Sequence, residues 1–317
     1  MNATPQSAEK TTALSTSGKR LHGIIPPLIT PLLGRDELDV AGLERLVEHV
    51  LKGGVHGLFI LGTSGEAPSL SYRLRRELID RVSRQVKGRV PLLVGVTDTS
   101  FVEAVNLARH AADAGAYAVV TAAPFYFPVG QPELIEGITA LVGALPLPVF
   151  LYNMPQMTKV QFETDTLRHL LQLERIIGVK DSSGDRAYFA RLLAVAKARP
   201  EWSVLVGPEC LLVEAVQNGA QGGVNGGANV WPQLLVQLYE AAISGEAATL
   251  ARLQPQLATL DGIYRVGRHA SAVVKGMKCS LSLLGICNDF MAEPFARFHE
   301  PERQQVQAVL RKCGLLS

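Results

Sequence analysis

Short apolar runs alternate with longer amphipathic segments along most of the chain, and the alternation repeats eight times. The apolar runs are nearly continuous in Val, Ile and Leu, which is typical of parallel strands buried on both faces. The segments between them carry apolar residues at helical spacing, as in Val40–Lys52, Phe101–Ala114 and Gln131–Ala144. The predicted strands are Gly23–Thr30, Gly57–Gly62, Val90–Val96, Tyr117–Ala122, Pro148–Asn153, Ile176–Asp181, Trp202–Gly207 and Gly222–Gly226.

Eight strand–helix units predict an α/β fold, a closed (β/α)8 TIM barrel over residues 21–244. An open, doubly wound sheet is disfavoured, because no GxGxxG motif follows the first predicted strand. After residue 244 only helical patterns continue, at Glu246–Tyr264, Ser271–Leu284 and Glu300–Lys312. We therefore expect residues 245–317 to form a C-terminal helical appendage that packs on the barrel.

The composition gives no support for nucleic acid or membranes as partners, or for secretion. Of 317 residues, 47% are hydrophobic and 19% are charged, which is enough apolar material for a large core. A net charge of +2 gives no electrostatic reason to expect nucleic acid or an anionic membrane as a partner. Residues 1–20 are rich in Ser, Thr and Ala and have no apolar run, which predicts a disordered tail and not a secretory signal.

Cysteine and histidine spacing gives no sign of a metal site. The four cysteines form no CxxC pair, and the seven histidines show no HxH or HExxH spacing. Scattered cysteines of this kind are usually reduced thiols, so we expect a cytoplasmic protein without a disulfide framework.

Catalytic groups of a barrel lie where its strands end and loops begin, so the strand ends carry the functional hypotheses. The second strand ends in Gly62-Thr63-Ser64-Gly65-Glu66. Glycines allow a tight turn that exposes N–H groups, and the hydroxyls add donors, which suits a carboxylate. A plain strand-to-helix turn is the alternative for such a short motif.

The sixth strand, Ile176–Asp181, carries a lysine, Lys180, near the end of an otherwise apolar run. Burial among apolar neighbours lowers the pKa of an amine, and a neutral amine can attack a carbonyl to form an imine. The alternative is a lysine whose amine lies in solvent, loosely paired with Asp181.

Other strand ends contribute weaker candidates. Tyr126 follows the fourth strand and Tyr152 lies at the end of the fifth, where a hydroxyl could move a proton or the ring could simply pack. The eighth strand ends in Asn225 and Gly226 within a run that is almost without side chains, which would leave room for a substrate or form a flexible loop.

Together these motifs resemble the dihydrodipicolinate synthase / N-acetylneuraminate lyase family of class I aldolases. The resemblance runs from about Gly23 to the C-terminal region around Val274–Gly285. It rests on three ordered motifs, which are Gly62-Thr63-Ser64-Gly65-Glu66, Tyr152-Asn153-Met154-Pro155 and Gly178-Val179-Lys180-Asp181.

The resemblance implies a role for each matching residue. Lys180 matches the lysine that forms a Schiff base with a 2-oxo acid such as pyruvate, and Tyr152 matches the tyrosine that moves protons beside it. Thr63 and Ser64, with Gly62, match the loop that holds the substrate carboxylate, and Thr63 also links the tyrosines. Tyr126 matches a tyrosine donated across an interface, which implies a homo-oligomer, either a dimer or a dimer of dimers. The family needs no metal or organic cofactor.

One departure bears on the substrate. The synthase branch of the family has an arginine five residues after the strand-five tyrosine, where it binds the carboxylate of the second substrate, and here that residue is Met157. A thioether cannot pair with a carboxylate. The run from Lys180 to Asp185 looks more like the sugar-acid aldolase and dehydratase branches, whose substrates are 2-oxo-3-deoxy acids or 4-hydroxy-2-oxoglutarate.

Three hypotheses follow. The first is a pyruvate-dependent aldolase, and the second is a dehydratase or deaminase that uses the same imine. A true 4-hydroxy-tetrahydrodipicolinate synthase stays open as a variant of the first. The third is a non-catalytic oxo-acid sensor, which the presence of Lys180, Tyr152, Tyr126 and Thr63 together disfavours, because a sensor has no need of the nucleophile.

Overall fold

Eight parallel strands form the centre of the structure, a computed structural model that describes residues 20–317. Except for Arg20, the tail predicted for residues 1–20 lies outside the described residues. The barrel strands are β1 (Gly23–Ile24), β4 (Leu58–Ile60), β5 (Leu92–Gly95), β6 (Ala118–Ala122), β7 (Val149–Asn153), β8 (Ile176–Asp181), β9 (Ser203–Val206) and β10 (Gly222–Gly223), and a small antiparallel hairpin of β2 (Leu32–Gly34) and β3 (Glu37–Leu38) follows the first of them.

The sheet closes on itself. Its strand order runs from β1 through β10 to β4, and a parallel bridge between Pro27 and Phe59 joins its two ends. Two backbone hydrogen bonds flank this bridge, because Leu28 donates to the Phe59 carbonyl over 2.8 Å and Phe59 donates to the Pro26 carbonyl over 3.1 Å. The predicted TIM barrel is therefore confirmed.

The first strand is shorter than the pattern predicts. Gly23–Thr30 reads as one apolar run, yet regular pairing ends at Ile24. The adjoining Pro26 and Pro27 have no N–H to donate to a ladder, so the chain there supplies carbonyls and only an isolated bridge.

Helices cover the outer face of the barrel, and each buries one apolar stripe. In the first, Leu43, Leu46, Val47 and Val50 are buried, and the N-cap Asp39 accepts from the backbone N–H of Gly42 over 2.8 Å. The helices up to residue 244 are α1 (Val40–Lys52), α2 (Tyr72–Val86), α3 (Phe101–Asp113), α4 (Gln131–Ala144), α5 (Pro155–Thr158), α6 (Thr164–Leu170), α7 (Arg186–Ala196), α8 (Leu212–Gln217) and α9 (Pro232–Ser244).

Three further helices follow the barrel, α10 (Ala247–Leu260), α11 (Ala272–Leu283) and α12 (Glu300–Lys312). The predicted last turn of the first of these is a separate 3-10 segment, Asp261–Arg265. No helix among residues 20–317 has the length and apolar character that crossing a membrane requires.

Strand alternation divides the buried residues into two cores. Side chains that point outward from the strands pack under the helices in the larger core. Those that point inward form a smaller core along the barrel axis, which includes Phe59, Val120, Phe150, Tyr152 and Leu205. Any side chain on the inner face at the carboxyl end of a strand therefore opens towards the mouth of the barrel.

Candidate active site

Lys180 points into the barrel near the end of β8. Its partner across the ladder is Tyr152 of β7, and its Nζ lies 4.2 Å from the centroid of the Tyr152 ring and 5.3 Å from that of Phe59. The residue is only 5% exposed. Burial lowers the pKa of Lys180, and the nearby Tyr152 hydroxyl opposes that shift.

Asp181 does not pair with Lys180. Successive strand residues face opposite ways, so the Asp181 carboxylate lies on the outer face. There it accepts hydrogen bonds from Asn153 Nδ2 over 2.7 Å, from the Ser183 N–H over 3.1 Å and from Ser183 Oγ over 2.9 Å. The alternative of a solvated Lys180 loosely paired with Asp181 is thus wrong. Asp181 instead shapes the loop that leaves the strand.

A second buried lysine shows what sets Lys180 apart. Lys278 of α11 is fully buried, but its Nζ lies 2.6 Å from Glu66 Oε1 and donates to the Phe290 carbonyl over 2.7 Å. Lys180 forms no ion pair with any residue of the described range. Burial lowers the pKa of Lys278 as well, but there the Glu66 carboxylate opposes the shift, whereas no carboxylate does so at Lys180.

Tyr152 connects the lysine to the loop after β4. Its hydroxyl lies 3.2 Å from Thr63 Oγ1, and either atom could be the donor. Its ring packs edge-on against Phe59, with centroids 6.4 Å apart. The phenol is therefore held beside Lys180 with a hydroxyl partner, the arrangement that proton transfer requires.

The loop Gly62–Glu66 turns back on itself. Gly65 donates to the Gly62 carbonyl and Glu66 to the Thr63 carbonyl, each over 3.1 Å. Within residues 20–317 nothing accepts from the N–H groups of Thr63 and Ser64. The loop therefore offers two adjacent N–H groups and two hydroxyls without an acceptor for the N–H groups, and such a set of donors suits a carboxylate. A side chain at Gly62 would collide with the Phe59 ring, 2.7 Å from its would-be Cβ.

Tyr126 does not reach Lys180 in the single chain. It is 83% exposed, and the adjacent Phe127 is 76% exposed, with the two rings edge-to-face at 5.1 Å. Tyr126 also has a positive φ of 82°, an unfavourable conformation for a bulky residue. An ordered, exposed aromatic pair of this kind is typical of a contact surface.

The glycine-rich end of β10 is filled, contrary to the expected open space. A Cβ on Gly226 would lie 3.1 Å from both Met277 Sδ and the Tyr264 hydroxyl. Asn225 is fully buried, and its Nδ2 donates to the carbonyls of Val206 and Gly207. Its neighbour Val224 belongs to the inner core, so Asn225 faces outward. The geometry gives both residues packing roles, and their predicted contact with substrate stays a prediction.

Sequence reasoning missed Phe59 and the pair Glu66–Lys278. Phe59 alternates with Leu58 and Ile60, which belong to the larger core, so the two-residue period of the strand could have placed it on the inner face. Lys278 stands within a buried stretch of its helix, and a lysine in that setting is a signal for a hidden partner.

The site can form and use an imine. It offers a buried amine with a lowered pKa, a phenol–hydroxyl pair beside it and an anion cradle next to that pair. The described residues contain no group of three or more His, Cys, Asp or Glu side chains arranged to hold a metal ion.

Comparisons with known proteins agree with this arrangement. The family model described as the dihydrodipicolinate synthetase family matches residues 20–313. A solved dihydrodipicolinate synthase from Bacteroides thetaiotaomicron is 52% identical, with a TM-score of 0.89 over 92% of this chain and 98% of that one.

Two other relatives differ in what they are said to do. A probable 2-dehydro-3-deoxy-D-pentonate aldolase of Escherichia coli is 32% identical over 94% of this chain and 99% of its own length. YagE, an Escherichia coli prophage protein of the same family solved with pyruvate, is 29% identical, with a TM-score of 0.87 over 93% of this chain and 99% of that one. The resemblance drawn from the motifs is confirmed.

We predict that Lys180 is methylated by formaldehyde and borohydride with a midpoint pH below the ordinary lysine value of 10.5. Only the neutral amine reacts, and burial keeps Lys180 neutral at a pH where exposed lysines are protonated. Peptide mapping across a pH series measures this at each lysine. Lys278 serves as the internal control, since its ion pair should keep it unreactive. A Lys180 midpoint at or above that of exposed lysines would contradict the prediction.

Proposed function

The chain belongs to the dihydrodipicolinate synthetase family and is a lyase, and we propose that it forms a Schiff base between Lys180 and a 2-oxo acid of the pyruvate type. The observation that carries the proposal is a buried, unpaired amine beside the Tyr152–Thr63 hydroxyl pair. The imine serves aldol cleavage or condensation, with a 2-oxo-3-deoxy sugar acid or 4-hydroxy-2-oxoglutarate as the substrate cleaved.

Imine formation uses the groups on the inner face of the barrel. The substrate carboxylate binds to the N–H groups and hydroxyls of Thr63 and Ser64, which brings the keto carbon to Lys180 Nζ. The neutral amine adds to that carbon, and loss of water with proton transfer through Tyr152 leaves a protonated imine. Thr63 shares the proton with Tyr152, so that the phenol can both give and accept it.

Carbon–carbon cleavage follows from the positive charge on the imine nitrogen. Tyr152, then a phenolate, takes the proton of the substrate hydroxyl at C4, and the bond between C3 and C4 breaks with release of an aldehyde. The bonding electrons move to the imine and give an enamine on Lys180. Protonation of the enamine and hydrolysis release pyruvate and restore the amine. Condensation is the same sequence in reverse.

The acceptor side of the site favours a sugar-acid substrate over 4-hydroxy-2-oxoglutarate, which carries a second carboxylate. Met157 lies in the short helix α5 directly after β7 and is 44% exposed. Its thioether offers no charge to a second carboxylate but tolerates a neutral chain. The aldolase relative of Escherichia coli supports the same branch.

A synthase activity is the second candidate. The observation in its favour is the 52% identity to a dihydrodipicolinate synthase across almost the whole chain. This activity needs another group to replace the charge that Met157 does not supply.

We also propose that the working unit is at least a dimer. Tyr126 is exposed beside the Phe127 ring, and in this family a tyrosine at the matching position joins the hydroxyl pair of a neighbouring subunit. Thr63 would then link Tyr152 to Tyr126 of the partner subunit.

The test of the proposed function is covalent trapping. Pyruvate with borohydride should add one reduced adduct at Lys180, found by peptide mapping, and Lys180→Ala should lower the rate by orders of magnitude, because no other group can form the imine. Lys275→Ala, which removes a half-buried lysine of α11, controls for the loss of a lysine. An adduct at another residue, or none, would refute the mechanism.

The Met157 argument predicts weak condensation of pyruvate with aspartate semialdehyde and a gain on Met157→Arg. A charge-assisted contact of this type contributes about 1.5–3 kcal/mol, which is about tenfold or more in kcat/KM. Met157→Leu is the matched control, since it changes shape without adding charge. Robust synthase activity in the wild-type protein would show that a different residue binds the second carboxylate.

Subunit mixing tests the role of Tyr126. Lys180→Ala and Tyr126→Phe chains, each nearly inactive, should recover about a quarter of wild-type activity when refolded together, because about half the pairs are mixed and half of their sites are intact. If Tyr126 acted within its own chain, every site would keep a lesion. Verified mixed pairs without activity would exclude the shared site.

A further inference from the structure

A buried ion pair joins the proposed carboxylate loop to the C-terminal helices. Lys278 Nζ of α11 lies 2.6 Å from Glu66 Oε1, and their side chains are 0% and 2% exposed. Glu66 is the last residue of the motif that contains Thr63 and Ser64. The mechanism proposed above uses neither charge.

Both members of the pair have a second, fixed partner. Lys278 donates to the Phe290 carbonyl over 2.7 Å, and Glu66 Oε2 accepts from the Ala292 N–H over 2.8 Å. Phe290 and Ala292 belong to the segment that connects α11 to α12. The pair therefore has a single geometry, anchored on the C-terminal side by a helix and by a backbone segment.

Glu66 transmits this geometry to the cradle. Its N–H donates to the Thr63 carbonyl over 3.1 Å, and its φ of 56° places it in the left-handed region, which a glutamate adopts only when its surroundings impose it. The carboxylate contacts add to the backbone hydrogen bonds that hold this conformation, so their loss should change the direction of the Thr63 and Ser64 groups.

The same helix also contacts the other side of the barrel mouth. Met277, next to Lys278, packs over Gly226 at the end of β10. Asn229 lies in the 3-10 turn Gly226–Asn229 that follows β10. It donates to the carbonyls of Gly226 and Pro27 and accepts from the N–H of Ile29. Two successive residues of α11 thus fix loops that follow the second and the last barrel strands.

We propose that Lys278 and Glu66 are positioning residues that hold Thr63 and Ser64 in the arrangement that binds the substrate carboxylate. The inference rests on the proposed function of that loop. A well-packed apolar pair would stabilise this position at least as well as two buried charges, so an ion pair here is better explained by the fixed geometry it imposes than by stability. Loss of the Glu66–Lys278 ion pair should therefore weaken binding of the substrate carboxylate.

The experiment compares two ketones in borohydride trapping at Lys180. Pyruvate carries the carboxylate, and acetone presents the same carbonyl without it. Wild-type protein is compared with Glu66→Gln, Lys278→Met and the double variant Glu66→Gln/Lys278→Met. The ratio of half-trapping concentrations is taken on the same sample, so that a smaller folded fraction cancels.

In each single variant the pyruvate concentration for half-trapping should rise by about tenfold or more, since small displacements of binding groups are costly. The acetone concentration should change by less than about twofold. The double variant should lie closer to wild type than either single variant, because it leaves no unpaired buried charge and the amide oxygen that Glu66→Gln introduces would still accept from the Ala292 N–H.

The matched control is Arg303→Met. It removes an ion pair with Asp289, 2.6 Å long, on the same C-terminal segment but leaves Glu66 untouched. Its melting temperature should fall while its pyruvate-to-acetone ratio stays at the wild-type value. An equal change of ratio in this control, or equal losses for both ketones in the Glu66 and Lys278 variants, would overturn the proposal, as would unchanged pyruvate curves.

The two levels of inference fail separately. If wild-type protein gives no pyruvate adduct at Lys180, the proposed function is wrong. If wild-type protein traps pyruvate and the variants do so with the same dependence on concentration, the function stands and the positioning role is wrong.

Discussion

The burial of the Lys180 amine without a counterion is the constraint on which the rest of the site depends. An unpaired ammonium group inside a protein is disfavoured, so the folded chain favours the neutral amine that the proposed mechanism requires. Lys278 marks the contrast within the same molecule. It is at least as deeply buried, but Glu66 and the Phe290 carbonyl stabilise its charge. Burial lowers the pKa of both lysines, and the carboxylate that opposes this shift at Lys278 is what distinguishes the two amines.

The geometry of strand β8 keeps the adjacent carboxylate away from Lys180. The adjacent Asp181 would be an obvious partner in a loop, but the alternation of a β-strand turns it to the outer face. There Asn153 and Ser183 satisfy its oxygens, and burial raises the pKa of Asp181 while these hydrogen bonds oppose the rise. The same two-residue period places Tyr152 and Lys180 on the inner face, so the strand alternation both exposes the Lys180 amine to the barrel interior and separates it from the adjacent Asp181 carboxylate.

The sequence was sufficient for features that depend on local pattern. Eight apolar runs predicted all eight barrel strands, and α1, α4 and α12 have the predicted bounds. The apolar pattern alone predicts a longer first strand. Strand β1 ends early because Pro26 and Pro27 have no N–H group to donate to the sheet. Lys180, Tyr152 and Thr63 were found because each ends a strand or directly follows one, and the structure brings them together.

The features that could not be predicted from the sequence depend on contacts between distant parts of the chain. Nothing near Glu66 indicates that its partner is Lys278, and a glutamate in a glycine-rich loop reads equally well as a solvated group. The glycines of β10 were interpreted as space for a substrate, whereas Asn225, Met277 and Tyr264 occupy it. A glycine in a strand indicates that another group lies close to the backbone, but it does not show whether that group is a substrate or another part of the protein.

The two halves of the proposed site differ in burial and in the number of contacts that hold them. This difference bears on how one fold can serve several reactions. The carboxylate half is fixed by a closed turn, by buried groups and by a helix from the C-terminal region. The acceptor half is more exposed, since Met157 lies on a four-residue helix and is 44% exposed. A 2-oxo acid needs the same cradle and amine in every reaction of this type, so changes there would abolish activity. In the proposed mechanism a substitution at Met157 changes only the contact with the second reactant, so selection of the acceptor can change while imine chemistry is preserved.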